Sequence, residues 1–225
     1  MKQVSLPDIR QTYITRDNLA EKTKDYLKII ESYNCRDVSL EIENAALLVI
    51  DMQRCFLEPA FPLYTENGRV IIPPLQYLLD HFRKRGRPVI FAAQKNWGEF
   101  VDRGPVLRFW WPRTPLEGSP ETEIIDEIKP LPSEKVIAKR RYSAFYATDL
   151  DLTLRSMEVR QVVVTGLFTN VCVEATVRDA FMRDFLPFVP ADACASFNEE
   201  LHIGSLRTLA LWFAKISTAA GLVGD

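Results

Sequence analysis

Short apolar runs alternate along the chain with longer segments whose apolar residues recur at helical spacing. The run at 45–51 is unbroken and ends in a carboxylate, which is typical of a strand buried on both faces of a sheet, and strands are also predicted at 87–94 and 161–165. Further strands are predicted at 135–139, at 186–189 and, as an edge strand, at 215–218. Helices are predicted between the strands and before them, at 18–30, 74–85, 121–128, 144–157, 171–183 and 198–214. This order predicts an α/β domain with a parallel sheet and right-handed crossovers.

Two parts of the chain depart from that alternation. Residues 1–40 form a polar, charged arm whose predicted helix at 18–30 is amphipathic, with Asp17 as its candidate N-cap. The α/β domain is predicted over residues 41–225. Within it, residues 96–120 combine tryptophans, glycines and prolines, which predicts a long irregular loop of the kind that often carries function.

Composition and charge narrow the class of protein. The 225 residues are 47% hydrophobic, and the 28 basic and 30 acidic residues are well mixed, without the basic footprint of a nucleic-acid-binding protein. No apolar run is long enough to span a membrane, and the N-terminus lacks the apolar core of a signal peptide. We therefore predict a cytoplasmic protein with a small-molecule substrate and with no nucleic-acid or membrane partner.

The cysteines and histidines argue against a metal or redox centre. The four cysteines lie far apart without a CxxC pair, and the chain has only two histidines. This usage matches neither a zinc site nor a disulfide scaffold. No GxGxxG motif follows a predicted strand, which argues against a nicotinamide-cofactor dehydrogenase. We expect no metal and no cofactor.

Reactive side chains stand at the carboxyl ends of the predicted strands, where α/β sheets bind ligands. These are Asp51, Gln94, Lys139 and, in the turn after Gly166, Cys172. A thiol at a strand-to-helix turn is expected to have a lowered pKa, with Asp51 able to accept its proton and Lys139 able to hold the pair in register. Taken alone, each of these residues has an ordinary structural explanation. Asp51 could be a helix cap, Lys139 a solvated residue at the rim of the sheet, and Cys172 a small buried side chain. Their convergence on one rim predicts a nucleophilic enzyme site.

Three sequence blocks, in order, carry a resemblance to a known family. LLVIDMQ at 47–53, KRRYSAF at 139–145 and GLFTNVCVEATVRDA at 166–180 are similar to blocks of the isochorismatase-like cysteine hydrolase superfamily. The resemblance spans 45–218 and implies a doubly wound, mostly parallel six-stranded sheet flanked by helices. It also implies a catalytic triad, a cis peptide bond between Leu167 and Phe168, and an oxyanion hole made by the backbone N–H groups of Phe168 and Cys172. The triad that it implies is Asp51, Lys139 and Cys172.

Two branches of the superfamily are represented in the chain. The segment at 179–197, DMQRCFL and KRRYSAF are similar to true isochorismatases, which cleave a vinyl ether and carry glycine at the cysteine position. TNVCVE and QKNW are similar to ureidoacrylate and biuret amidohydrolases. Because Cys172 is retained, we favour hydrolysis of a C–N bond in a small amide or ureido compound through a thioester. Isochorismate cleavage, or a catalytically silent binding module, are the alternatives.

The resemblance also bears on the substrate and on assembly. Nicotinamide-hydrolysing relatives bind a metal through an Asp-x-His pattern after the second strand, whereas this chain has QKNW, which argues against a metal and against nicotinamide. Relatives are commonly oligomers, and the amphipathic arm helix is consistent with a homodimer or larger assembly. The predicted substrate contacts are Gln94, Asn96, Trp97, Phe56, Trp110, Tyr142, Phe145 and Asn170.

Overall fold

The computed structural model describes residues 8–98, 100–111 and 113–224. Its centre is a sheet in the order β3-β2-β1-β4-β5-β7, with β6 pairing with the end of β4, and every pairing of these strands is parallel. The predicted α/β fold with a doubly wound parallel sheet is therefore confirmed, and the two-residue β6 adds a seventh strand to the expected six. The strands are β1 (Ala45–Ile50), β2 (Val89–Gln94), β3 (Lys135–Lys139), β4 (Gln161–Leu167), β5 (Leu186–Pro190), β6 (Cys194–Ala195) and β7 (Lys215–Ser217).

Burial of the strands follows the hydrophobic pattern. Every residue of β1, β2 and β4 is buried, which for β1 confirms the prediction of a strand covered on both faces. β3 lies at one edge of the sheet and is partly exposed, while β7 lies at the other edge, where an edge strand was predicted. The central strands thus form a fully buried base beneath their carboxyl ends.

Gly166 brings β1 and β4 unusually close at those carboxyl ends. It pairs with Ile50 in the register and has a φ of +104°. A Cβ atom built at this position would lie 2.0 Å from the carbonyl oxygen of Ile50, which no side chain can tolerate. Glycine is therefore required for the close approach that sets the residues after β1 beside the turn after β4.

Helices cover both faces of the sheet, and none of those described is long and apolar enough to cross a membrane. Their bounds mostly agree with the periodicity, and the turn before α7 is a π-helical turn at Thr169–Val173. The helices are α1 (Leu19–Ile29), α2 (Arg54–Leu57), α3 (Asn67–Val70), α4 (Ile72–Lys84), α5 (Gly104–Trp110), α6 (Leu150–Ser156), α7 (Glu174–Phe181), α8 (Glu199–Trp212) and α9 (Ala219–Val223).

Two helix predictions and one loop prediction differ from the structure. Residues 121–128 form two 3₁₀ turns instead of a helix, and the irregular loop at 96–120 contains α5. The helix predicted at 144–157 begins only at Leu150. The cause lies in the preceding segment, where the hydroxyls of Ser143 and Thr148 accept hydrogen bonds from the backbone N–H groups of Phe145 and Leu150. Such side-chain bonds compete with helical ones and favour turns.

The N-terminal arm packs onto the domain through its apolar residues. Ile14, Tyr26 and Ile30 are buried in the same hydrophobic core as the sheet. The prediction of Asp17 as the N-cap of α1 was wrong, because Asn18 occupies the cap position and its side chain accepts a hydrogen bond from the N–H of Thr15, upstream of the helix.

Candidate active site

The ends of three neighbouring strands bring Asp51, Gln94 and Lys139 together. Asp51 follows the last residue of β1 with a φ of +54°, and Gln94 lies opposite Lys139 in the register of β2 and β3. The Asp51 Oδ1 atom accepts a hydrogen bond of 3.0 Å from the backbone N–H of Gln94. The parallel topology therefore fixes the carboxylate and the lysine at one rim, as the strand-end argument predicted.

The ammonium group of Lys139 lies at the centre of this cluster. Its Nζ atom lies 2.8 Å from Asp51 Oδ2 and 3.4 Å from Cys172 Sγ. It also contacts Gln94 Oε1 at 3.1 Å and the backbone oxygen of Arg141 at 3.2 Å. The Lys139 side chain is fully buried, with 0% of its surface exposed. A cation held by this many acceptors has one defined position, from which it bridges the carboxylate and the thiol.

The charges of Asp51 and Lys139 depend on each other. Burial raises the pKa of the Asp51 carboxyl, and the Lys139 ammonium opposes this without cancelling it. Burial acts to lower the pKa of Lys139, but the interactions with Asp51 and with the sulfur of Cys172 outweigh it, so that the pKa of Lys139 is raised. The ammonium therefore stays charged, and the carboxyl is a stronger proton acceptor than an exposed aspartate.

Cys172 has a raised pKa, so the prediction of a lowered one was wrong. Burial is the largest cause, and the adjacent Asp51 carboxylate, a hydrogen-bond partner of the thiol, raises the pKa further. Lys139 acts in the opposite direction but does not compensate. Cys172 also does not lie at the start of a regular helix, as predicted, but in the π-helical turn before α7. The resting side chain is therefore a neutral thiol.

Buried polar contacts hold the turn that carries Cys172. The peptide bond between Leu167 and Phe168 is cis, at the position that the family resemblance implies. Thr169 Oγ1 lies 2.8 Å from His202 Nδ1, and Ser205 Oγ donates a 3.1 Å hydrogen bond to the Thr169 carbonyl. Burial lowers the pKa of His202 to about 3, so the ring is neutral. His202 and Ser205 were not predicted, because nothing in a sequence marks a helix residue as a support for a distant turn.

A small cavity of about 30 Å³ lies against the cluster. Asp51 and Cys172 line it, together with three of the predicted substrate contacts, Gln94, Phe56 and Tyr142. The predicted oxyanion residue Phe168 lines it too. The space holds about two water molecules, since one needs roughly 10–15 Å³ of such volume. The cavity is thus small, with the thiol in its wall.

The other predicted substrate contacts lie outside this cavity. Asn96 is fully buried and bonds the side chains of Gln94 and Asp102, so it supports the wall from behind. Phe145 packs on Phe185, away from the cavity. The remaining three are Trp97, 68% exposed; Asn170, bonded to the Ser196 hydroxyl; and Trp110, which lines only an outer groove.

The outer groove, of about 490 Å³, adjoins the cavity through shared residues. Leu107, Arg141 and Tyr142 line both spaces. Trp111 lines the inner cavity, and its indole N–H donates to the Tyr142 hydroxyl at the wall between them. Trp111 and Arg141 were not among the predicted contacts. The aromatic composition of the loop and the KRR sequence were the only available signals.

The described residues include no group of three or more His, Cys, Asp or Glu side chains arranged to hold a metal ion. The cluster itself offers a thiol, a carboxyl group with a raised pKa and a buried ammonium. Such a set can transfer a proton and form a covalent bond to an electrophilic carbon.

Comparison with known sequences decides the family. Residues 45–221 match the isochorismatase domain. The chain belongs to the isochorismatase family. This family of hydrolases has amidase and isochorismatase members, and the match covers the sheet, the cluster and the cavity described above.

Individual relatives differ in the reactions that their names state. Nicotinamidase 3 of Arabidopsis thaliana is 37% identical over 172 residues, which cover 76% of this chain and 82% of that protein. Ureidoacrylate amidohydrolase RutB of Caulobacter segnis is 30% identical over 210 residues, covering 83% and 87%. Enterobactin synthase component B of Escherichia coli K12 is 33% identical over 178 residues, covering 77% of this chain but only 60% of that protein.

The fold comparison agrees with the sequence comparison. The crystal structure of a cysteine hydrolase from Pseudomonas syringae pv. phaseolicola superposes with a TM-score of 0.79 at 29% identity, covering 83% of this chain and 93% of that one. Membership of the isochorismatase family is therefore supported both by sequence and by structure.

Proposed function

We propose that this isochorismatase-family hydrolase cleaves a C–N bond in a small amide or ureido compound, through a thioester on Cys172. One observation carries the proposal. The Lys139 ammonium contacts both Asp51 Oδ2, at 2.8 Å, and Cys172 Sγ, at 3.4 Å, and the carboxylate and the thiol line a small cavity. A thiol and a carboxylate held beside one fixed cation are suited to nucleophilic catalysis, and vinyl-ether cleavage has no need of the thiol.

The proposed cycle conserves protons within the cluster. The thiol proton of Cys172 passes to Asp51 as sulfur attacks the carbonyl carbon, and the resulting oxyanion is received by the backbone N–H groups of Phe168 and Cys172. The C–N bond breaks as Asp51 returns the proton to the leaving nitrogen. Water then attacks the thioester, gives a proton to Asp51 and releases the acid. The thiol is restored when that proton returns to sulfur.

Lys139 serves this cycle in two ways. Its charge stabilises the thiolate that the proton transfer creates, and its contact with Asp51 holds the carboxylate next to the sulfur. Gln94 completes the arrangement, since its side-chain oxygen accepts from Lys139 and its backbone N–H donates to Asp51. Gln94 is therefore proposed as a positioning residue that also lines the cavity.

A screen of ammonia release tests the proposal. The purified full chain is incubated with simple amides, with nicotinamide and with ureido compounds, beside isochorismate as the competing substrate. We expect ammonia from at least one amide or ureido compound, and loss of that activity in Cys172→Ala with the fold retained by circular dichroism. A Cys172→Ala variant that keeps full activity would refute the thioester mechanism.

Isochorismate cleavage is the second candidate, because the segment at 179–197 is similar to true isochorismatases. It predicts turnover of isochorismate that does not depend on Cys172. A catalytically silent module predicts no turnover of any compound in the screen.

Self-association is proposed separately from the reaction. Phe100, Val101, Val106 and Trp110 are each more than half exposed and come from one stretch of chain beside the outer groove. An exposed apolar set of this kind is typical of an interface. We infer a homodimer or larger assembly, which light scattering of the purified protein tests directly.

A further inference from the structure

Three consecutive cations, the first of them the last residue of β3, stand at the end of that strand, and two of them are paired with carboxylates. Lys139 pairs with Asp51 at 2.8 Å. Arg140 pairs with Asp102 at 2.6 Å and with Glu117 at 3.1 Å. Arg141, by contrast, has no Asp or Glu oxygen within 4 Å among the residues that the structure describes.

The guanidinium of Arg141 is held in place by neutral groups. Its Nη1 atom donates hydrogen bonds to the backbone oxygens of Asp102, at 3.0 Å, and of Arg140, at 2.7 Å. Its Nη2 atom lies against the backbone of Gly104, where a Cβ would come within 3.0 Å. The side chain is half-buried, and Nε and Nη2 donate no hydrogen bond to any described residue. An oriented charge with free donors is thus left uncompensated.

Its place in the fold connects this charge to the reaction site. Arg141 lines both the inner cavity and the outer groove. Its backbone oxygen contacts the same Lys139 Nζ atom that contacts Cys172 Sγ. Arg141 therefore lines the same cavity as Cys172 and also the groove that adjoins it. A half-buried positive charge with free donors favours a bound anion, and planar carboxylates fit guanidinium groups best.

We propose that Arg141 binds a carboxylate of the substrate, so that the substrate is a small amide or ureido acid and not a neutral amide. This inference rests on the proposed C–N hydrolysis at Cys172. The scissile carbon lies at the sulfur and the carboxylate at the opposite end of the molecule, where the cavity opens into the groove. The cavity of about 30 Å³ alone cannot hold such a compound, which therefore extends between Leu107 and Tyr142 into the groove.

Equilibrium binding tests the inference without requiring turnover. Cys172→Ala removes the nucleophile from the full chain, so that probes are not consumed. Calorimetry then compares matched pairs in this background: succinamate with succinamide, and N-carbamoylglycine with N-carbamoylglycinamide. We expect at least one acid to bind about tenfold or more tighter than its neutral partner, since hydrogen bonds to charged groups contribute about 1.5–3 kcal/mol.

Variants at two neighbouring arginines separate the specific contact from general charge. Arg141→Gln should abolish the preference for the acid, and Arg141→Lys should keep part of it. Arg140→Gln removes one positive charge next to the site from a side chain that is already paired, and it should preserve the preference. Equal binding of acid and neutral partner, no measurable binding of either acid, or a preference that survives Arg141→Gln would each overturn the inference.

The proposed function fails in a different way. If the unsubstituted chain releases no ammonia from any of these compounds while the acids still bind through Arg141, C–N hydrolysis is refuted and the anion site stands. If ammonia is released from neutral and acidic compounds with equal kcat/KM, hydrolysis stands and the role of Arg141 is refuted.

Discussion

The buried pair of Asp51 and Lys139 gives a quantitative prediction for stability. At the observed 2.8 Å, two unit charges attract by about 6 kcal/mol at an effective dielectric constant of about 20. Much of this attraction only offsets the cost of removing both charges from water. Removing one partner leaves that cost uncompensated for the other. We therefore expect Lys139→Met and Asp51→Asn each to lower the free energy of unfolding by about 3–5 kcal/mol.

The double variant distinguishes charge pairing from a general packing defect. Asp51→Asn/Lys139→Met removes both charges and keeps side chains of similar length. It should be destabilised by less than the sum of the single variants by about 3 kcal/mol or more, because neither charge is left alone. Urea unfolding followed by circular dichroism measures all four proteins. Additive effects, with a coupling free energy below about 1 kcal/mol, would refute the electrostatic account.

The same strand supplies a matched control pair. Lys135 Nζ lies 2.6 Å from Asp149 Oδ2, a distance similar to that of the buried pair, but the side chains are 35% and 56% exposed. Exposed ion pairs contribute only about 0.2–1 kcal/mol, since water and salt screen them. The cycle of Lys135→Met and Asp149→Asn should therefore show weak coupling. A large coupling here would show that distance, not burial, decides the energy.

The pH dependence of the stability of Lys139→Met follows from the direction of the pKa shift of Asp51. Burial already raises the pKa of this carboxyl in the folded state, and loss of the ammonium raises it further. A group with a raised folded-state pKa favours the fold when protonated, so its stabilisation is lost as pH rises through that pKa. The loss of unfolding free energy in Lys139→Met, relative to the unsubstituted chain, should be larger at about pH 8 than at about pH 5. A deficit independent of pH would contradict this reasoning.

Two further predictions concern the strand-end turn. Gly166→Ala should destabilise the fold by several kcal/mol, because its Cβ would lie 2.0 Å from the Ile50 carbonyl oxygen. Gly204→Ala lies in open space within α8 and should instead stabilise the fold by about 0.5–1 kcal/mol. Thermal melting compares the two variants. Iodoacetamide should label Cys172 more slowly than the exposed Cys35 at neutral pH, because burial raises the pKa of Cys172. The labelling rate of Cys172 should rise steeply with pH. Mass spectrometry follows the labelling, and Cys172 labelled first would contradict this prediction.

Much of the candidate site could be predicted from the sequence, because in a parallel sheet the residues that end successive strands lie at the same edge. The carboxyl ends of β1, β2 and β3 meet at one rim, so residues that end apolar runs must lie near each other. Asp51, Gln94 and Lys139 were predicted by that reasoning, and their side chains are in contact.

Loops and pKa values could not be predicted in the same way. Their properties depend on which side chains meet across long sequence separations. Trp97 and Asn96 are adjacent, yet one is exposed and the other is buried behind Gln94, because Asp102 binds the Asn96 amide and the Trp97 N–H. The predicted direction of the pKa shift of Cys172 was wrong for a similar reason. The helix dipole can be inferred from the sequence, but the burial of the thiol and its contact with Asp51 cannot.

The raised pKa of Cys172 changes how its activation should be understood. A cavity lined by a carboxylate and a thiol beside one buried ammonium has the same total charge before and after the thiol proton moves to Asp51. Proton transfer within the cluster therefore avoids placing an additional net charge in the dry interior, which loss of the proton to solvent would do. The group that must be ionised in the free enzyme is Asp51, and not the thiol. Burial, which makes the isolated thiol weakly acidic, also strengthens the base that removes its proton.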